Sequence, residues 1–488
     1  MHLGAHDSRI IPITLTIILL FVSVGPQIIS ATNSPSLQFE GSITHLSTTS
    51  ITVNPDVVVG ANSLSVGTMI DWEWKDWLSD SSLRQETQDA KFKLIRIFEA
   101  RYQTNGSPDP CISWSETTHT GTFDWTEVDA LIQAIYQVGA EPLVCLGFWD
   151  MSQKYLPNGM ATNPSTGLPY PESYAAYCAE WVKHFKQVGL PVKWYEIVNE
   201  PYHYYGWDRS ETTLMSNYAE LFNAARTAMK NSNPNILASF DATTQKKAFD
   251  FFLNQGYAID FLDIHKYDAE DLTATDQDLL SKAEYYRFDA STSWYAIDYC
   301  RQTWQNTRGK TLPIIFSEYN VNCAWGTEGN DPRIPTMFGA VWTALTLRTG
   351  ITRNVDYMTY YLFASSASSS HGFGMVNLDN NKPWYPYFVQ KMIGENINVG
   401  DSIVESSSSN QNIRVLSWIH EDSLRILLIS KTEENFALRF TGVDNSLTYE
   451  KIDNTIPWTN PAIQTGTLES YDLLMTHGYT VAIFKASL

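Results

Sequence analysis

Residues 193–201 read Lys193-Trp-Tyr-Glu-Ile-Val-Asn199-Glu200-Pro201, an apolar run of strand length that turns polar at its end and meets a proline. Proline lacks a backbone N–H, so the ladder cannot continue through it. A second run, Leu312-Pro-Ile-Ile-Phe-Ser317-Glu318-Tyr319-Asn320, has the same form and also ends on an acid. Outward from these two, further short runs rich in β-branched and apolar residues occur at 65–70, 94–98, 142–147, 236–240, 261–265 and 358–363. Stretches with apolar residues at three- and four-residue spacing separate them, such as 125–138 and 174–188, and predict helices. Near-continuous apolar strands alternating with helices signal a parallel sheet covered on both faces. Eight such strands predict a closed α/β architecture, a (β/α)8 TIM barrel, over residues 61–395. An open doubly wound sheet is the competing architecture, but no GxGxxG follows the first run.

After residue 395 the texture changes. Runs at 413–418, 424–429, 436–440 and 480–484 are separated by polar turns, which predicts a C-terminal β-sandwich over 396–488. The serine-rich 405–410 reads as a surface turn, and residues 37–60 either add a strand to the sandwich or lead into the barrel. No internal repeat is visible.

The only long apolar run, 10–31, follows Arg9 and precedes small residues, the pattern of an export signal within residues 1–36. Left uncleaved, it approaches the length of a membrane span, so a membrane tether is the alternative. Against 33 basic residues stand 53 acidic ones, a net charge of -20. That balance repels phosphate backbones, so nucleic acid is excluded as a partner. Cys111, Cys145, Cys178, Cys300 and Cys323 are scattered without metal-ligand spacing. One or two disulfides are permitted outside the cell, and oligomeric state stays open.

In a barrel, the C-terminal ends of the strands open onto the reactive face. Glu200 and Glu318 therefore face one mouth, with the amide of Asn199 beside the first. Cleaving an acetal needs one group that gives a proton and another that traps the oxocarbenium-like centre, and two carboxyl groups about 5–5.5 Å apart give retention through a covalent intermediate. Asn199-Glu200-Pro201 on the fourth strand together with Ser317-Glu318-Tyr319 on the seventh resembles glycoside hydrolase clan A, nearest its families 39 and 5. The likeness covers most of residues 61–395, and the trailing sandwich is similar to that of family 39.

The resemblance implies that Glu200 is the general acid/base and Glu318 the nucleophile, with no metal and no organic cofactor. It further implies that Arg96, near the end of the second strand, supports the nucleophile, where an arginine without an anion would be costly. His265 and Tyr267 on the sixth strand become candidates for hydrogen bonds to the nucleophile or to a sugar hydroxyl. Aromatic residues after the strands, Trp72, Trp74, Trp149, Tyr202, Tyr204, Trp207 and Trp325, are candidates for stacking on sugar faces. Where many clan members place a tryptophan after the eighth strand, this chain has Tyr361 and Phe363, so Tyr361, Phe363 or Trp384 is left to supply the platform. Glu196 and Glu99 are rival acids, Glu196 being placed in mid-strand as an internal hydrogen-bonding group. The expected activity is hydrolysis of β-linked oligo- or polysaccharides, endo-β-1,4-glucanase or xylanase-like. The alternatives are exo-action as a β-xylosidase, mannosidase or glucosidase, and a non-catalytic cell-surface glycan-binding protein.

Overall fold

A computed structural model describes residues 48–99, 110–147, 151, 155–201, 212–285, 296–324, 330–366, 372–443, 446–469 and 474–488. The expected export segment and the sequence up to residue 47 lie outside the described residues. Among the described residues no helix is long and apolar enough to cross a membrane.

Eight strands pair in parallel in one sheet. In chain order they are Ser65–Ile70, Leu94–Glu99, Glu141–Leu146, Trp194–Ile197, Leu237–Ser239, Leu262–Tyr267, Ile314–Asn320 and Tyr357–Tyr360. Each strand neighbours its successor and the eighth pairs with the first, so the sheet curls into a barrel with one seam, between the fifth and sixth strands. The fifth strand is too short to carry a full ladder. The Asp260 N–H donates to the Ala238 carbonyl at 3.1 Å, Ser239 Oγ donates to the Phe261 carbonyl at 2.7 Å, and the His265 N–H donates to Thr244 Oγ1 at 2.7 Å. A strand serine and a loop threonine thus replace missing sheet bonds, and they hold the sixth strand where His265 sits.

Strand alternation sorts the interior. Leu94, Leu143, Trp194, Phe261 and Ile315 form a small apolar cluster that plugs the lower end. Two residues further along four of these strands stand Arg96, Cys145, Glu196 and Asp263, all buried. Between them, Ile95, Ile97, Val144, Tyr195, Ile197, Leu262 and Ile264 face the surrounding helices in the main core. The seventh strand breaks this parity. Its pairing register with both neighbours slips after Phe316, and Ser317 is the extra residue against the sixth strand. A bulge of this kind re-aims the following side chain. It is why Glu318 and not Tyr319 meets Arg96, and the strand runs three residues past Ser317, where the apolar pattern alone would end it.

The C-terminal region forms one continuous mixed sheet of nine strands rather than two separately bonded ones. The N-terminal strand Thr48–Ala61 lies within it, antiparallel to Ser402–Ser408 and parallel to Ala437–Thr441. One face, with Ile51, Val53, Ile426, Leu428, Leu438 and Phe484, closes over its own core. The opposite face, with Leu427, Ile429, Val481 and Ile483, joins the main core of the barrel. The arrangement is sandwich-like, but the N-terminal strand and hydrogen bonding across the whole sheet make it one body. Cys145, Cys300 and Cys323 are free thiols, so no disulfide joins them.

Candidate active site

Arg96 is the centre of the polar layer and is fully buried. Its Nε and Nη2 donate to the two oxygens of Glu196 at 2.7 and 2.9 Å, Nη1 donates to Glu318 Oε1 at 2.7 Å, and Nη2 also donates to Asn199 Oδ1 at 2.7 Å. Burial alone would weaken its charge, but the two carboxylates more than offset that and hold the guanidinium well above its ordinary range. Glu196 is held below the usual carboxylate range, because Arg96 and His265 together outweigh the opposing effect of burial. Mid-strand Glu196 is thus an anchor for Arg96.

Past the fourth strand the chain takes a sharp path. Val198 and Glu200 both adopt the left-handed conformation, with φ of 65° and 47°. For a β-branched valine this is an outlier that costs on the order of 1–3 kcal/mol and persists only where the surroundings enforce it. The backbone is pinned there by the Val198 N–H on the Leu146 carbonyl and the Asn199 N–H on the Gly147 carbonyl. Asn199 then reaches Arg96, while the Glu200 carboxyl reaches His265 across the mouth.

His265 Nδ1 lies 2.8 Å from Glu200 Oε1 and 3.6 Å from Glu318 Oε2, and Nε2 lies 3.5 Å from Glu196 Oε1. Burial pushes this imidazole down, but Glu318, Asp241 and its bonds to Glu196 and Glu200 prevail and raise it well above its ordinary value. The Tyr267 hydroxyl donates to Glu318 Oε2 at 2.7 Å. Glu318 therefore has an arginine on one oxygen and a phenol on the other. Glu200, His265 and Glu318 offer ligand atoms that all lie within 4.8 Å of one another. Both Glu318 oxygens are already bonded, to Arg96 and to Tyr267, an arrangement that suits a hydrogen-bonded acid pair.

Of the residues singled out in the sequence, Arg96, Asn199, Glu200, His265, Tyr267 and Glu318 converge. Tyr361 joins them: it is buried, packs edge-on against Tyr267 with centroids 6.3 Å apart, and its hydroxyl bonds to Asp71. Trp72 is half-buried beside Tyr361. Trp74 corrects the expectation. It begins the helix Trp74–Ser79 and turns into the core at 2% exposure, with no face left for a sugar. Trp384 is also drawn elsewhere, onto Trp458. Trp149, Tyr202, Tyr204, Trp207 and Trp325 lie outside the described residues, as does the Glu99 side chain.

Four further acids surround the cluster. Asp71 directly follows the first strand, and burial together with repulsion from Glu318 pushes it up to about 8, against Arg96 and Tyr361. Asp263 is pushed up to about 8 by burial and Glu196. Glu73 and Asp241 are raised well above the carboxylate range, chiefly by burial. Asp71 and Asp241 each follow an apolar strand directly, the same signal that marked Glu200 and Glu318, so the sequence carried it.

No protein-family model and no curated protein matches the chain, whereas solved structures do. The GH39 enzyme from Xanthomonas axonopodis pv. citri is similar at 15% identity and a TM-score of 0.63, covering 92% of this chain and 99% of that one. A GH39 β-xylosidase from Caulobacter crescentus is similar at 15% identity and a TM-score of 0.60, over 90% of this chain and 100% of that one. A GH30 endoxylanase from Clostridium papyrosolvens C71 is similar at 14% identity and a TM-score of 0.54, over 91% and 100%. The chain thus shares, nearly end to end, the fold of clan A glycoside hydrolases.

Proposed function

We propose that this protein is a retaining glycoside hydrolase acting on β-linked glycans, with Glu200 as general acid/base and Glu318 as nucleophile. The observation that carries the reading is the approach of the two carboxyl groups, which have oxygens within 4.8 Å of each other. That spacing suits direct attack on the anomeric carbon and leaves no room for an intervening water.

Glu318, held by Arg96 and Tyr267, attacks the anomeric carbon as Glu200 passes its proton to the departing glycosidic oxygen. A glycosyl ester on Glu318 results. Glu200, now ionised, takes a proton from water, whose oxygen attacks the same carbon and releases Glu318. Two inversions restore the starting configuration. The route uses side chains alone, without metal or organic cofactor.

For substrate, an endo-β-1,4-glucanase or xylanase-like activity is our reading, supported by the fold shared with a GH30 endoxylanase. Exo-action is the second reading, favoured by the likeness to a β-xylosidase. The apolar stretch 10–31 supports export, with the enzyme secreted or held at the outer membrane face.

The decisive variant is Glu318→Gly, assayed on aryl β-glycosides. Turnover is expected to vanish and to return with azide or formate, giving a product of inverted anomeric configuration. Failure of every external nucleophile to restore turnover counts against the assignment. A parent protein that binds glucan or xylan but turns over neither would be a binding module.

A further inference from the structure

Among the described residues, one exposed tryptophan stands on the C-terminal sheet, away from the strands that carry the carboxylates. Trp458 is 47% exposed, in the loop between the strands Leu447–Asp453 and Gln464–Leu468 of the nine-stranded sheet. Its ring lies almost parallel to that of Trp384, with an interplanar angle of 11° and centroids 6.4 Å apart, and Trp384 is itself only 7% exposed. Tyr385 packs on the same ring at 5.9 Å, and its hydroxyl donates to the Ile456 carbonyl at 2.6 Å. One indole is thus packed on a second in offset parallel contact, with about half of the residue left open to water. Scattered surface hydrophobics need no explanation, but a wide aromatic plane fixed from behind is a different object.

Topology gives the position of this plane. The helix Tyr385–Asn396 follows the eighth barrel strand, so it begins at the strands' C-terminal rim and runs back toward the other end. The strand Leu447–Asp453 lies alongside it in the opposite sense: Asn396, at the helix end, bonds to Glu450, whereas Tyr385, at the helix start, bonds to Ile456. The loop bearing Trp458 therefore projects at the rim on which Glu200 and Glu318 open. Asn381, three residues before Trp384, bonds to Asp80 at 2.6 Å and ties this rim to the segment after the first strand.

Composition gives the ligand class. The chain carries a net charge of -20, yet residues 454–468 contain no Asp, Glu, Lys or Arg. In the same loop the exposed residues Asn454, Thr459 and Asn460 offer amides and a hydroxyl. A flat apolar face in a loop of neutral hydrogen-bonding groups complements a pyranose, with its apolar ring face and peripheral hydroxyls.

We propose that Trp458, backed by Trp384, is a distal platform that stacks a sugar unit of a neutral β-glycan whose other end occupies the catalytic mouth. The proposal rests on the glycosidase reading of that mouth and adds to it a second point of attachment on the C-terminal sheet. It implies that affinity grows with chain length beyond what the mouth alone provides.

The test measures binding in the full-length Glu318→Gln protein by calorimetry, with a disaccharide, a hexasaccharide and soluble polymer from β-1,4-xylan and β-1,4-glucan. With Trp458 intact, the longer ligands should bind up to about tenfold more tightly than the disaccharide. Trp458→Ala should collapse that difference, and Trp458→Phe, which keeps a ring and the packing on Trp384, should retain part of it. Equal length dependence in all three proteins overturns the platform. The two readings fail separately. Hydrolysis by the parent with a length effect indifferent to Trp458 removes only the platform, whereas a Trp458-dependent length effect in a parent that never cleaves glycan keeps the platform and removes the catalytic reading.

Discussion

Nη1 of Arg96 lies 2.7 Å from Oε1 of Glu318, with the arginine side chain fully shielded from water and the carboxylate nearly so. Removing one partner of a buried pair leaves the other charge uncompensated, at a cost of about 3–5 kcal/mol. Arg96→Leu should therefore lower the unfolding free energy by an amount in that range and abolish turnover, since Glu196 loses its partner as well. Arg96→Lys should be nearly as inactive, because a compact ammonium cannot span Glu196, Asn199 and Glu318 together. Denaturant melts beside steady-state kinetics check both, and a lysine variant with parental kcat would contradict the role.

Glu200→Ala should separate substrates by leaving group. On natural linkages the loss should reach roughly 10²–10⁴-fold, the usual range for a general acid. With dinitrophenyl glycosides, whose departing oxygen needs no proton, the first step should be far less affected. Equal losses on both would argue that Glu200 only supports the fold.

His265 places a positive charge between the two carboxyl groups, beside Glu196 and Asp241. A neighbouring cation favours the ionised form of each acid. Replacing it by glutamine removes that influence, so the pH profile of kcat/KM should move to higher pH. A profile that stays in place or moves to lower pH would show that the imidazole is neutral in the working enzyme.

Asp71 should make the fold less tolerant of alkali. Its folded value of about 8 lies above the ordinary 3.8, so the folded chain keeps a proton that the unfolded chain gives up across that interval. The stabilisation is complete below the lower value and drains away as pH rises toward the upper one. Asp71→Asn mimics the protonated acid and cannot ionise. Relative to the parent it should gain more than about 1.4 kcal/mol between pH 4 and pH 8, the worth of a single unit. Some slope should persist from Asp263, also pushed up to about 8. Parallel stability curves for parent and variant would show that Asp71 is ionised in the folded protein.

The barrel was legible because its strands are buried on both faces and read as unbroken apolar runs, with Glu200 and Glu318 marking two of their ends. Arg96 followed from the cost of burying a cation there together with the family resemblance, and His265 from the resemblance alone. Less legible were features fixed by register. Nothing in Ser317 announces a bulge, and the seam beside the short Leu237–Ser239 strand is closed by Ser239 and by Thr244, which looks like an ordinary loop residue. Asp71 carried the correct signal, but the tryptophans around it suggested a stacking role for the segment. Whether an indole faces a sugar or a core depends on packing that spacing does not encode: Trp74 is buried and Trp458 is exposed.

The strand Thr48–Ala61 sits between Ser402–Ser408 and Ala437–Thr441, so a ribosome must deliver nearly the whole polypeptide before this early segment finds its neighbours. Until then its ladder groups and the core-facing Ile51 and Val53 wait unshielded, which makes the nascent chain a client for chaperones. Cutting the gene between barrel and sheet would not yield two modules, because the C-terminal fragment would lack an interior strand supplied from the opposite terminus.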